Sequence, residues 1–526
     1  MTAIYLTTTI PYVNGRPHLG HAVEFVQADV LARHHRRAGA AVRLQTGTDD
    51  NSLKNVLAAK TAGVGVREFV DSNAAAFSDL AAQLSVSADD AIATSSDPRH
   101  RPAVERLWRA CEQAGDLYPK HYTGLYCVGC EQFYTETELP GGRCAEHGTV
   151  PQQVSEENWF FRLSRYGDRL RSAITSGQLR IEPAARRNEV LGFIDGGLED
   201  FSVSRSVGRA HGWGIPVPGD SGQVIYVWFD ALGNYISALD YGTGGAALSR
   251  WWTNSTRRVH LLGKGVVRFH AVYWPAILLS AGLPLPTEEF VHDYITVDGA
   301  KIGKSAGNAI DVTSLIDDYG ADALRWWLLR EVAKVGDTDF TVDRLIARAN
   351  DELANGIGNL VHRVVALVCK YRDGLVPVAN GRELPGTRRL ERARRQAAEL
   401  IDSALADGDF RQATAAVVAI ADEANKYISQ SEPWRLVKAE RGGDGEAAAL
   451  LDAVLAALIE NCRELAGHLA PFLPDAAERI AAQCSAANCA TSGGKLQWPT
   501  PVFTRLIPRG DRGKEPVPAY GYPDWT

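Results

Sequence analysis

The sequence predicts an α/β fold: a parallel sheet, interrupted by an insertion and followed by an all-α helix bundle. Three observations carry this. Strand, turn, helix and strand patterns follow one another from Ala3 onward, the order of a βαβ unit. A stretch rich in glycine, aromatic residues and cysteine breaks in between about Leu117 and Val190, after which strand-like runs return. From about Asp343 to Cys484 apolar residues recur with helical period.

Taken in order, Ala3–Ile10 alternates like a strand, His18–Gly39 reads as a helix, and AVRLQTGTDD reads as a second strand. Helical patterns then run to about Asp116. After the insertion, QVIYVWFDA and RRVHLLGKG are expected to resume the same sheet. NDELANGIGNLVHRVVALV, LERARRQAAELIDSALADG and EAAALLDAVLAALIENCRELAGHLA have the pattern of amphipathic bundle helices. The predicted divisions are 1–116 and 191–290 for the halves of the sheet domain, 117–190 for the insertion and 291–342 for a connecting region. The bundle follows at 343–484, then an extension, 485–526, expected to drape over the surface.

At 526 residues the chain is too long for one core, and roughly three to four domains are expected. Its 45% hydrophobic and 23% charged residues are the balance of an ordinary soluble protein. No basic segment precedes the first apolar run, so no signal peptide is expected, and no apolar stretch is long enough to span a bilayer. Eight scattered cysteines fit a reducing, cytoplasmic setting. The net charge of −7 does not decide for or against a nucleic-acid partner, because phosphate affinity follows local basic stripes. Two such stripes exist, RHHRR (Arg33–Arg37) and TRRLERARRQ (Thr387–Gln396); each, taken alone, reads as a solvated helix face.

Three motifs suggest chemistry. In PHLGH, Pro17 suits the first position of a helix, and His18 and His21 stand about one turn apart on one face. A helix N-terminus is a ready phosphate site, Gly20 leaves room for a flat base, and two imidazoles there can donate to a phosphate. Alone, the pair also fits metal ligation or a structural role. In DGAKIGKSAGNAID, Lys301 and Lys304 with Ser305 form a short cationic loop able to close on a triphosphate; alone, such a pair is more often solvated surface. In YCVGCEQFYTETELPGGRCAEHG, Cys127 and Cys130 form a CxxC and Cys144 with His147 a CxxH, the ligand set of a closed tetrahedral, structural Zn²⁺ site, one per chain. The remaining cysteines show no ligand spacing.

HLGH early and KIGKS late in a split α/β chain resemble the HIGH and KMSKS signatures of class I aminoacyl-tRNA synthetases. Further stretches are similar to the methionyl-tRNA synthetase family: IPYVNGRPHLGH, SEENWFFRLSRY, DFSVSR with WGIPVP, YVWFDALGNYISAL, LLGKGVVRFHAVYWPAIL and ANKYISQSEPW. The resemblance covers about Ala3–Pro508. It implies a Rossmann-like catalytic domain split by a zinc-knuckle insertion, and a helical anticodon-binding domain. It implies two reactions, formation of methionyl-adenylate from L-methionine and ATP with Mg²⁺, then transfer to the terminal adenosine of tRNA(Met). His18, His21, Lys301 and Lys304 would be catalytic, with Gly20, Gly263 and Ser305 also at ATP. Tyr12 and Trp228 would wall the methionine side chain, while Tyr235 and the backbone of Ile10 would donate to its sulfur. Asp49 would hold the ammonium, and Ala231, Val266 and His270 would complete the lining. Asn359, Arg363 and Trp434 resemble the family's anticodon readers. No further domain is visible after the helices, so a monomer without membrane attachment is expected.

The chain departs from the family pattern in four places. Asn51 and Ser52 stand where a His-Gly pair is usual, and Ile302 and Gly303 replace Met and Ser. Gly265 stands where an aspartate is expected near the ribose, and Thr9 and Leu232 replace smaller Ala and a Pro. With Met1 as the sole methionine, these leave open compositional drift or a second enzyme tolerant of methionine-analogue inhibitors. A class I synthetase for another amino acid and a non-catalytic tRNA-binding paralogue also stay open here. Methionine-dependent pyrophosphate exchange separates both from the leading reading.

Overall fold

The structure, a computed structural model, describes residues 3–128, 132–134, 136–145, 148–302, 310–378, 384–485 and 495–509. It divides into two units, Met1–Ala82 with Val86–Tyr294, and Gln83–Ser85 with Ile295–Thr526.

The first unit is built on six strands: β1 (Ala3–Thr8), β2 (Ala41–Thr48), β3 (Asp90–Ala93), β4 (Arg180–Glu182), β5 (Arg257–Gly263) and β6 (Glu288–His292). Their order is β3-β2-β1-β5-β6-β4, and every pairing is parallel. Helix α1 (Leu19–Arg37) follows β1 and buries most of its length, including Leu19, Val23, Val26 and Val30. β1 pairs with β2 on one side, Leu6 opposite Leu44, and with β5 on the other, Leu6 opposite Val259. The connections that follow β1 and β5 therefore run outward in opposite directions, to β2 and to β6. Such a switch point opens a crevice at the carboxyl ends of the two central strands, where α/β sheets bind ligands. Residues 9–21 follow the end of β1, and Gly263 is the last residue of β5.

Trp108, Trp252, Trp274 and Tyr5 belong to one large apolar core and are fully buried. Truncating any one of these indoles to alanine costs about 3–5 kcal/mol.

The insertion forms its own antiparallel sheet. Leu117–Cys127 pairs with Gln152–Phe161 along ten residues, Leu117 opposite Phe161 through Tyr126 opposite Gln152, with Gln132–Tyr134 and Phe201–Ser202 at the edges.

QVIYVWFDA departs from expectation. Only Asp220–Ile225 is a strand, it joins a separate three-stranded antiparallel sheet, and Val227–Leu232 is helical. Tyr226 is the extended cap between them (φ −66°, ψ 138°), so the apolar run serves a strand and then a helix. RRVHLLGKG does enter the main sheet, as β5.

In the second unit, a π-helical stretch (Ala349–Gly358) runs into α2 (Asn359–Arg372). Helices α3 (Pro385–Ala406), α4 (Phe410–Ser431), α5 (Pro433–Arg441), α6 (Gly445–Leu469) and α7 (Pro474–Cys484) follow. Arg325 is fully buried, yet its guanidinium donates to the carbonyls of Phe472 at 2.8 Å and Leu84 at 2.6 Å, which offsets the desolvation of the charge. Residues 495–509 lie along the bundle. Leu496 N–H donates to Gly374 O at 2.8 Å, and Asn350 exchanges two hydrogen bonds with the Leu506 backbone, at 2.7 and 2.9 Å.

Among the described residues no helix is long and apolar enough to cross a membrane.

Candidate functional site

The first turn of α1 is capped by its own histidines. His18 is the N-cap (φ −135°, ψ 176°), and Pro17 stands one residue before it rather than inside the helix. Gly20 N–H donates to His18 Nδ1 at 3.1 Å, and His18 N–H donates to His21 Nδ1 at 3.1 Å, a reciprocal capping box made of two imidazoles. The rings stack with centroids 3.8 Å apart, and His21 also meets the Phe77 ring at 5.0 Å. Each Nδ1 accepts from backbone, so in the neutral ring the proton sits on Nε2. Burial, then the charges of His18 and His292, holds His21 well below its ordinary pKa. The backbone thus fixes Nδ1 of both rings, and burial keeps His21 neutral. Gly20 is required for this: a Cβ there would lie 2.9 Å from His18 Cε1.

Past β1, Thr9 N–H and its hydroxyl both donate to Glu24 Oε1, the latter at 2.6 Å, while Glu24 Oε2 lies 3.2 Å from His292 Nε2. Burial opposes charge on His292, but the hydrogen bond and charge of Glu24 outweigh it and raise its pKa. Glu24 and His292 thus tie the β1 loop to α1 and to the end of β6; neither stands in a motif that would mark it in the sequence. Tyr12 and Asp49 form an isolated parallel bridge, and Asp49 N–H donates to Pro11 O at 2.9 Å. That pairing sets the buried Asp49 carboxylate beside the Tyr12 loop, with Asn51 N–H at 3.2 Å from Oδ1. Lys54 Nζ lies 4.4 Å above the Tyr12 ring.

An aromatic cluster adjoins it. Tyr12 and Trp228 meet edge-on at 6.2 Å, Trp228 stacks on Phe269 at 3.7 Å, and His270 stands edge-on to Trp228 at 6.3 Å. Val266 O accepts from His270 Nδ1 at 2.9 Å, which makes Nε2 the acceptor for Tyr235 Oη–H at 2.7 Å. Burial lowers the His270 pKa to about 4 and raises Tyr235 well above its usual value, so both are neutral. The Tyr235 proton, expected to serve a substrate sulfur, is here directed to His270. Ala231 is buried on the Val227–Leu232 helix, and Val266 stands just after β5. Ile10 lies two residues past the end of β1. Gly263 ends β5, where a Cβ would sit 3.4 Å from His292 Cε1.

Lys301 belongs to the second unit, at the exposed end of a hairpin in which Thr296 pairs with Lys301. Asp298 (φ 54°) and Gly299 (φ 72°) both take positive φ, the signature of a type I′ turn. Asp339 Oδ1 fixes that turn, accepting from Thr296 Oγ1 and Gly299 N–H at 2.8 Å each. Lys304 and Ser305 lie outside the described residues, as do Cys130 and His147. Cys127 and Cys144 are buried, reduced and packed with Leu139 in one small cluster. Gly148 N–H donates to Cys144 O and Cys144 N–H to Thr149 O.

The family profile "tRNA synthetases class I (M)" matches residues 4–145 and 135–365, and "Anticodon binding domain of methionyl tRNA ligase" matches 379–510. The methionine–tRNA ligase of Brucella melitensis is 38% identical over 518 residues, 96% of this chain and 98% of that protein. That of Thermosynechococcus vestitus is 40% identical over 531 residues, 95% and 97% of the two chains. The chain belongs to the class I methionyl-tRNA synthetases. The Mycobacterium tuberculosis methionyl-tRNA synthetase bound by methionyl-adenylate superposes with a TM-score of 0.88 at 34% identity, covering 95% of this chain and 100% of that one.

This methionyl-tRNA synthetase carries its expected anticodon residues on the bundle. Asn359 opens α2, and Arg363 follows one turn later on the same face. Arg363 Nη1 lies 3.5 Å from Asn425 Oδ1 on α4, and burial lowers the Arg363 pKa. Trp434 is the second residue of α5, just after α4 ends; Glu432 (φ 41°) makes the turn between them. Asn425 lies about two turns before the end of α4.

Proposed function

We propose how this methionine–tRNA ligase uses the groups described above. L-Methionine binds with its ammonium at Asp49 and its side chain between Tyr12 and Trp228, against Ala231, Val266 and His270. The Ile10 backbone and the Tyr235 hydroxyl face the sulfur, a weak acceptor that needs shape plus aimed donors. For Tyr235 to donate there, its proton turns from His270 to the ligand. ATP enters as its Mg²⁺ complex at the start of α1, over Gly20 and beside Gly263 and Ser305.

A methionine carboxylate oxygen attacks the α-phosphorus. The new P–O bond gives methionyl-adenylate, and the α–β bond breaks with its electron pair leaving on pyrophosphate. His18 and His21 donate from Nε2 to oxygens that gain charge, and Lys301 and Lys304 supply cations for the leaving group. A terminal adenosine hydroxyl of tRNA(Met) then attacks the acyl carbon and displaces AMP. Asn359, Arg363 and Trp434 read the anticodon.

Two buried thiols sharing one cluster suit a soft, closed site. With Cys130 and His147 they would hold one Zn²⁺, whose contribution is to cross-link the insertion rather than to take part in the reaction. We further propose a cytoplasmic monomer.

The reciprocal capping of His18 and His21 at the switch point carries this reading most directly. Its test is methionine-dependent ATP–pyrophosphate exchange. Asp49→Ala should abolish exchange while tRNA still binds; unchanged exchange removes Asp49 from the site.

A further inference from the structure

The two basic stripes differ in the structure. Most of the RHHRR stripe at the end of α1 is consumed internally, with only Arg37 exposed. Arg33 pairs with Asp29 at 2.8 Å, Arg36 with Asp89 at 2.6 Å, and His35 Nε2 meets Arg257 Nη1 at 2.9 Å. The second stripe, on α3, faces outward. Arg388, Arg392 and Arg395 are exposed and spaced i, i+4, i+7, within one narrow face of the helix. Arg392 and Arg395 make no ion pair or side-chain hydrogen bond among the described residues.

This face is basic at one end only. Continuing at i+11 and i+14, it carries Glu399 and Asp402, so the positive half is the N-terminal half of α3. That half lies beside the C-terminal half of α4. Arg389 Nε is 3.7 Å from Glu423 Oε1, and a Cβ on Gly386 would stand 2.2 Å from the Tyr427 ring, so backbone and ring are in direct contact. The same stretch of α4 holds Asn425, the neighbour of Arg363, and runs on toward Trp434. The arginines therefore flank the proposed base readers rather than the far end of the bundle. Arg388 to Arg395 spans about 10 Å of helix, a length over which a nucleic-acid strand presents several phosphates. Glu391 is an exposed acid on the same turns, which weakens the field but leaves the arginines in excess.

We infer that Arg388, Arg392 and Arg395 hold the phosphates of the tRNA anticodon stem, giving sequence-independent affinity beside the residues that read bases. The inference rests on the proposed anticodon reading. A backbone contact of this kind positions the RNA without specifying its sequence. Guanidinium groups suit it because they bind phosphate through paired N–H donors.

The test uses the full chain with all three arginines changed to glutamine (R388Q, R392Q, R395Q) and a second variant with all three changed to lysine. An unchanged melting temperature confirms the fold. For an anticodon stem-loop hairpin, the glutamine variant should bind at least about tenfold more weakly at 0.1 M salt, and its log–log salt slope should fall by about 0.9 for each phosphate no longer neutralised. The lysine variant should recover most of that affinity. Binding of an acceptor-stem minihelix should not change. Hairpin affinity and salt slope equal to the parent's overturn the inference, and an equal weakening on the minihelix overturns its placement at the anticodon stem. Trp434→Ala separates the two readings. The glutamine variant should weaken matched and anticodon-swapped hairpins by the same factor, whereas Trp434→Ala should erode the preference between them. Preference intact in Trp434→Ala, with uniform weakening in the glutamine variant, removes the base-reading role and leaves the phosphate stripe standing.

Discussion

Asn51 Nδ2 donates to Asp230 Oδ2 at 2.7 Å, and the other oxygen of that fully buried carboxylate is 2.6 Å from His100 Nε2. The chain continues through His100 Nδ1 to Ser237 Oγ at 2.8 Å. Asn51 thus links the loop that carries Asp49 to the helix that carries Trp228 and Ala231. Asn51→Ala leaves one oxygen of a buried carboxylate unpaired, at a cost of about 1–3 kcal/mol. In pyrophosphate exchange the KM for methionine should rise more than the KM for ATP. Equal changes in both would show a general loss of structure instead.

Gly20→Ala should be severe for activity and mild for the fold. The added methyl displaces the His18 ring and costs its cap about 1 kcal/mol. The reciprocal arrangement that keeps Nε2–H pointing outward is lost with it. Exchange should fall by roughly two orders of magnitude, the scale of losing one aimed donor, with melting little changed. An active Gly20→Ala enzyme would separate catalysis from this cap.

Glu289→Leu should stabilise the protein. The Glu289 side chain is fully buried in β6, and neither carboxyl oxygen has a partner among the described residues. Burial pushes its pKa well above the ordinary value of 4.5. Below about that pH the acid is neutral in folded and unfolded chains alike, and ionisation costs nothing. Above it the unfolded chain ionises first, so stability falls by about 1.4 kcal/mol per pH unit until the folded pKa is reached. Urea unfolding at pH 5 and pH 7.5 should therefore find the variant's advantage larger at the higher pH. An advantage that stays constant, or a loss at both, refutes this assignment.

Tyr235→Phe removes the donor to His270 and the proposed donor to sulfur. The KM for methionine should rise roughly tenfold, about 1.4 kcal/mol, and discrimination against an analogue with CH₂ in place of sulfur should narrow. Discrimination equal to the parent's would assign Tyr235 to supporting His270 alone.

The parallel sheet, the bundle and the HLGH turn are legible in the sequence because periodicity and short motifs report local structure. The reciprocal capping is not, since it depends on the extended backbone of His18, which no spacing encodes. In EEFVH, alternation places neighbouring residues on opposite faces. Glu288 meets Arg257 at 2.6 Å, and Glu289 must then point inward, which becomes evident only once the partner of Glu288 is known. QVIYVWFDA misleads because a continuous apolar run has no period by which to locate the break at Tyr226. The fates of the two arginine stripes are equally hidden, because the partners of the first, Asp89 and Arg257, lie far away in sequence.

The placement of β1 between β2 and β5 also bears on synthesis. While the protein is being made, β1 finds one neighbour early, but the other edge stays open until residues 257–263 leave the ribosome. At ordinary elongation rates that interval is on the order of ten seconds or more. During it the nascent chain has an exposed apolar strand and half a binding crevice, so this stretch of translation is where chaperone protection matters most.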